Sequence, residues 1–160
     1  ADLEKKDFSP MDYKMWVLQG HFQGTRNFTF ESLAAAKQRR LNWRNRIALC
    51  YQQDINSDDG VYEKILEAVS NNLNSAEAFA IIDNSNIGFE DWEKIDKLFG
   101  LKLIEDAPNV DEGIYTLIHE REDARAEKDF ASSDGIRDEL LARGIALRDT
   151  PDGAVWEYAK

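Results

Sequence analysis

The apolar residues of this chain recur at helical spacing for most of its length and then, past Gly144, switch to the spacing of strands. Met11, Met15, Leu18 and Phe22 are separated by four, three and four positions, which sets them on one helical face. Ser9-Pro10 precedes them as a capping hydroxyl and a first-turn proline whose missing N–H has no partner to lose. After Thr29, a second cap, the pattern predicts a helix from about Phe30 to Gln53. Leu33, Ala36, Trp43, Ile47 and Cys50 fall near one stripe, with Arg40 interrupting it and Lys37 and Arg44 on a neighbouring face. The breaker cluster INSDDG ends that run. Val61, Ile65, Leu66, Val69 and Leu73 mark a third helix. Asn74-Ser75, with Glu77 placed for a capping box, opens a fourth through Phe79, Ile81 and Ile82. Trp92, Ile95, Leu98 and Phe99 mark a fifth, closed by Gly100.

LKLIEDAPNVDEG, with Pro108 inside it, reads as a linker. A sixth helix runs from Ile114, Leu117 and Ile118 to about Lys128. A seventh runs from about Ala131 to Arg143, with Gly144 as its left-handed stop. Ile145-Ala146-Leu147 and Ala154-Val155-Trp156 then flank DTPDG as a β-hairpin. The expected fold is mainly α: a helical bundle over residues 1–107, followed by a small α+β module of two helices and a hairpin over 108–160.

The 160 residues carry a formal net charge of −11, and that total conceals a segregation. Residues 1–53 hold nine basic and five acidic side chains, residues 54–112 four and fifteen, and residues 113–160 seven and eleven. Lys37, Arg39, Arg40, Arg44 and Arg46 crowd one helix, and no acid occurs between Glu31 and Asp54. Exposed charges farther apart than about 10 Å are largely screened, so local sign decides where a polyanion can dock. A uniformly basic surface is excluded, but a local phosphate contact is not. The single cysteine rules out an internal disulfide and a cysteine-rich zinc site, and fits a reducing, cytoplasmic setting. No apolar run approaches 18 residues, so no membrane partner is expected.

No Gly-rich phosphate loop, Gly-x-Ser-x-Gly or His-Glu-x-x-His occurs. His21 and His119 stand far apart, Cys50 sits on an apolar stripe, and paired acids such as Asp58-Asp59 are unremarkable among 31. No catalytic residue, metal ligand or cofactor is therefore assigned to this chain.

Three segments carry a resemblance. Residues 113–156, GIYTLIHEREDARAEKDFASSDGIRDELLARGIALRDTPDGAVW, follow without a gap the pattern R-x-x-AR-x-x-KD-[FW]-x-x-[AS]D-x-[IA]-RD-x-L-x-x-x-GI-x-L-x-D-x-P-x-G-x-x-W. Residues 9–30, SPMDYKMWVLQGHFQGTRNFTF, are similar to a helix ending in Ser-His-Tyr-Arg that continues to Asn-Phe-Ser. NNLNSAEAFAII, residues 71–82, is a weaker third match. Together they resemble the C-terminal half of cysteinyl-tRNA synthetase, a class I aminoacyl-tRNA synthetase. The full-length family uses ATP and zinc, and this chain has neither the HIGH nor the KMSKS signature. The resemblance therefore implies a part that is catalytically inactive alone and partnered by cysteine tRNA and by the synthetase's own catalytic domain; a monomer is expected, though the sequence itself does not fix the oligomeric state.

The resemblance also implies anticodon-reading positions: Arg125, Phe130, Asp134 and Asp149. Their chemistry suits splayed loop bases. An aromatic stacks, a guanidinium donates to guanine acceptors, and a carboxylate accepts from a base amino group. Lys37, Arg40 and Arg44 are candidates for the tRNA backbone. Taken singly, each has a plainer reading. Phe130 could be core, Asp134 a solvated helix residue, and Asp149 a turn residue. Arg125 could pair with Glu122 or Asp129, and the basic helix could be a solvated face. Trp43 and Trp156 read as core. The competing function is an acidic helical scaffold that docks a protein partner and binds no RNA.

Overall fold

Seven α-helices and one antiparallel hairpin form among the described residues, 3–20, 27–71, 73–151 and 153–159, of the computed structural model. The chain divides into two units, Ala1–Pro108 and Asn109–Lys160. It is mainly α, with the hairpin confined to the second unit.

In the first unit, helix starts are set by side-chain caps. At α1 (Pro10–Leu18), Ser9 Oγ accepts from the Asp12 N–H at 3.2 Å, and Asp12 Oδ2 accepts from the Ser9 N–H at 2.8 Å. At α2 (Phe30–Cys50), Thr29 and Ser32 make the same reciprocal pair. These bonds occupy N–H groups that the first helical turn leaves without partners. At α4 (Ser75–Asn84), Asn74 Oδ1 accepts from the Glu77 N–H. Glu77 replies to the Asn74 side-chain amide rather than to its backbone, a variant of the predicted box. α3 spans Val61–Ser70, and α5 spans Phe89–Phe99, where Gly100 adopts φ +60° as the left-handed stop.

The apolar stripes meet in one core built around Met15, Leu33, Trp43, Ile47, Ile65, Phe79, Ile82, Trp92 and Ile95. Trp43 packs edge-on to Phe79 at 4.9 Å, and its Nε1–H donates to Asp83 Oδ1 at 2.7 Å. Arg40, which breaks the stripe in sequence, stays on it in space at 4% exposure. Its Nη1 lies 3.5 Å from Asp12 Oδ1, its Nη2 donates to Asp106 Oδ2, and its Nε donates to the Leu101 carbonyl at 3.0 Å. Two segments, α1 and the stretch after α5, are thus tied to α2 through one buried guanidinium. Cys50 is partly buried, its sulfur 3.4 Å from the Arg46 carbonyl and 3.6 Å from the Ile87 carbonyl, either of which its one S–H can meet, and burial raises its pKa. Thiolate chemistry is suppressed there.

Three expectations need correction. α2 ends at Cys50, not Gln53, because the chain turns there and the Gln52 and Gln53 N–H groups both return to the Leu49 carbonyl. Leu73 is not a helix residue. α3 stops at Ser70, and Leu73 sits exposed in a turn at φ +52°. The segment read as a linker from Leu101 is core at its start. Leu101 and Leu103 are fully buried, and the Ile104 N–H is held by Asp96 Oδ2 at 3.0 Å. Alternation of apolar residues over so few positions carries too little signal to separate a packed return segment from a linker. The predicted reach of the first helix to Phe22, and His21, lie outside the described residues.

In the second unit, Asp111 caps α6 (Glu112–Ala126) and Asp129 caps α7 (Phe130–Ala142). Gly144, at φ +81°, turns the chain into β1 (Ile145–Thr150), which pairs antiparallel with β2 (Gly153–Tyr158). The register sets Leu147 opposite Trp156, and Asp149 opposite Ala154. Ile114, Ile118, Leu140, Ile145 and Trp156 form the core of this unit. No helix among the described residues is long and apolar enough to cross a membrane.

The Arg40 cluster yields a stability prediction. Arg40→Ala strands the buried carboxylate of Asp12 and should lower the urea unfolding free energy by roughly 3–5 kcal/mol, followed by tryptophan fluorescence. Lys37→Ala, which removes an exposed pair with Asp7, should cost under about 1 kcal/mol. Equal losses would show that burial does not set the difference.

Candidate nucleic-acid interface

Arg121 and Arg125 lie four residues apart on α6 and therefore share a helical face. Both reach the same carboxylate. Arg121 Nη1 donates to Asp149 Oδ1 at 2.9 Å and its Nη2 to Oδ2 at 3.3 Å, while Arg125 Nη1 donates to Oδ2 at 2.9 Å. One residue on, Glu122 Oε1 accepts from the N–H of Ala154, the cross-strand neighbour of Asp149, at 3.1 Å. α6 thus grips both strands of the hairpin near its tip.

The two arginines differ in setting. Arg121 is 4% exposed, whereas the side chains of Arg125 and Asp149 are 47% and 49% exposed. The hydrogen bond from Arg121, reinforced by the charges of both guanidiniums, outweighs burial and holds the Asp149 carboxyl below its ordinary 3.8. Of the cluster's two cations and one anion, Arg125 and Asp149 face solvent with about half of their side-chain surface, and the Glu122 carboxylate stands beside them.

A tight turn separates Arg125 from Phe130. The Lys128 N–H donates to the Arg125 carbonyl, the Asp129 N–H donates to the Ala124 carbonyl at 2.8 Å, and Lys128 takes φ +63°. Phe130 opens α7 with 64% of its surface exposed, so it is not core. Asp134 follows one turn later on the same face and pairs with Arg137 at 3.2 Å, as an exposed residue. Of the four residues singled out in the sequence, Arg125 and Asp149 are in direct contact. Phe130 and Asp134 lie one above the other on the first turns of α7. Arg125 pairs with neither Glu122 nor Asp129. Trp43 and Trp156 are buried.

Sequence reasoning missed Arg121. Two signals pointed to it: its spacing of four from Arg125, and its place as the first arginine of the R-x-x-A-R pattern.

The basic helix α2 is not the open positive face that its sequence suggests. Arg40 is withdrawn from the surface and is removed from the phosphate-contact candidates. Lys37 Nζ binds Asp7 Oδ2 at 2.7 Å, and Arg44 Nε donates to the Asp106 carbonyl. Arg39 pairs with Asp83 at 3.0 Å, and Arg46 donates to the carbonyls of Ile82 and Ser85. The absence of acids within the helix hid the acids and carbonyls that other segments bring to it. Lys37 and Arg44 keep part of their surface. His119 is exposed, 3.7 Å from Glu122. Among the described residues, no three His, Cys, Asp or Glu side chains converge as a metal site.

Residues 107–156 match the family described as the cysteinyl-tRNA ligase anticodon binding domain. The cysteine--tRNA ligase of Finegoldia magna is 31% identical over an alignment covering 98% of this chain and 39% of that protein. That of Borreliella afzelii is 30% identical over 95% of the chain and 38% of the protein. That of Lachnospira eligens is 31% identical over 91% and 38%. The chain spans about two fifths of the length of the curated relatives it matches. Helical unit, hairpin module and sequence agree, and the chain belongs to the cysteinyl-tRNA synthetase family, matching the C-terminal region of those enzymes with an anticodon binding domain at residues 107–156.

Proposed function

We propose that the unit Asn109–Lys160 reads the anticodon loop of cysteine tRNA, on behalf of a synthetase catalytic domain that attaches cysteine using ATP. The observation that carries this reading is the half-exposed Arg125–Asp149 pair, joined by a tight turn to an exposed Phe130. A guanine base edge presents an acceptor for Arg125 beside N–H donors for Asp149, so adjacent donor and acceptor suit it. Phe130 offers a face on which an unstacked base can lie, and Asp134, one turn along, offers a further acceptor. Carboxylates repel phosphate, so Asp134 and Asp149 fit bases rather than backbone. Lys37 and Arg44 supply phosphate contacts on the tRNA stem. The match of residues 107–156 to an anticodon binding family supports the same reading. The protein works as a monomer in the cytoplasm.

Filter binding should retain cysteine tRNA over a variant changed only in its anticodon. Equal retention of both at moderate salt would remove the readout claim, and binding of neither, with a co-purifying protein, would favour the scaffold. Arg125→Ala and Phe130→Ala should each cost about 1–3 kcal/mol for the matched loop. Lys37→Gln with Arg44→Gln should weaken all tRNAs alike and flatten the salt slope by about one per lost contact, read from binding at several salt concentrations.

The Asp149 cluster also sets a pH dependence. Its folded-state carboxyl titrates below 3.8, so the stability it adds is complete above that value and is lost as pH falls through the lower folded value. The difference in denaturant midpoint between the native chain and Asp149→Asn should be constant near neutrality and shrink below about pH 4. A difference that grows as pH falls would contradict the assigned direction.

A further inference from the structure

The mode of grip on Asp149 is divided unequally between its two arginines. The buried one, Arg121, uses both terminal nitrogens and makes the two-point contact; the exposed one, Arg125, makes a one-point contact. We propose that Arg121, which no RNA can reach, is a positioning residue for anticodon reading: by taking the two-point contact with Asp149, it leaves the guanidinium fork of Arg125 and one carboxylate lone pair free for a base. The proposal rests on the function given above and adds a residue that touches no nucleotide.

The chemistry supports this division. An ionised carboxylate has about four acceptor positions, and a guanidinium has five N–H donors. Three positions on Asp149 are filled, two of them on Oδ2, so Oδ1 keeps one. Left to itself, a carboxylate beside an arginine closes into a two-point pair that uses the fork both need for recognition. Arg121 prevents that closure by occupying the facing edge. Its own burial makes the hold strong. Its Nε is buried and has no partner among the described residues, so Asp149 carries the compensation for its charge. Among the described residues, Glu122 stands beside this cluster, its carboxylate engaged by the Ala154 N–H and near His119.

The test uses the full chain, with Arg121→Met, which removes the charge and the donors, and Arg121→Lys, which keeps the charge but has no fork. Two readings are taken on each. The first is the ratio of affinities for the cysteine anticodon stem-loop and for the same stem with a changed anticodon, across a range of salt. The second, made without RNA, is the titration of the Asp149 carboxyl by carbon NMR on aspartate-labelled protein, assigned with Asp149→Asn. We expect the affinity ratio to fall about tenfold in Arg121→Met with the salt slope unchanged, since no phosphate contact is lost. The Asp149 titration should move up toward 3.8. Arg121→Lys should lose much of the ratio while keeping most of the titration. It also supplies the answer should Arg121→Met fail to fold. An affinity ratio that survives in the folded variants, or an Asp149 titration unchanged in Arg121→Met, overturns the role of Arg121 and leaves the anticodon reading standing. A native chain that does not distinguish the two stem-loops overturns the anticodon reading, and the role of Arg121 with it.

Discussion

A guanidinium inside an apolar core can persist only if the groups around it replace the water it has lost, and in the helical unit that requirement organises much else. Arg40 sits among Leu33, Ala36, Trp43 and Ile47 on α2, where a hydrocarbon would fit the pattern. Its partners come from α1, through Asp12, and from the segment after α5, through Leu101 and Asp106. Asp12 is also the residue that completes the α1 cap. One carboxylate therefore starts a helix and neutralises the core of its neighbour. Taking one partner from a buried pair costs far more than the pair contributes net, since it leaves a charge with no solvent to receive it. The arrangement accordingly specifies which segments meet rather than adding much to their attraction.

The hairpin module repeats that logic at the edge of a site. Arg121 is as buried as Arg40 and is likewise answered by a carboxylate from a distant segment, but its carboxylate lies half in solvent. In the helical unit the charge is consumed internally. In the module it is handed outward through Asp149 to Arg125. The same residue type at the same burial thus serves assembly in one place and recognition in the other, and the exposure of the partner is what separates them.

The helices were legible because each signal is local. Ser9, Thr29, Asn74, Gly100 and Gly144 cap or stop helices through groups within a few residues, and the apolar spacing needs only one turn to show. The hairpin followed from the change of period after Gly144. What escaped was of longer range. Arg40 read as surface because its acids lie 28 residues before it and 66 after it. Arg125 looked for a partner on its own helix and found one 24 residues away. Phe130 was balanced between core and platform, and only the packing of α7, which buries Leu140 and leaves Phe130 outside, decides it. The roles of Arg125, Phe130, Asp134 and Asp149 toward RNA came from the resemblance and not from any pattern of charge or spacing.

The burial of Leu101 and Leu103 decides where this polypeptide can be divided. The last helix of the bundle stops at Gly100, but a cut there would not spare its core. A chain ended there would lose two fully buried leucines and the Asp106 carboxylate that pairs with Arg40, opening a gap in the core and removing part of the compensation of its buried charge. A cut after Pro108 spares all three. The helical unit therefore owns the eight residues beyond Gly100, and they belong with it in any genetic fusion, truncation or domain exchange.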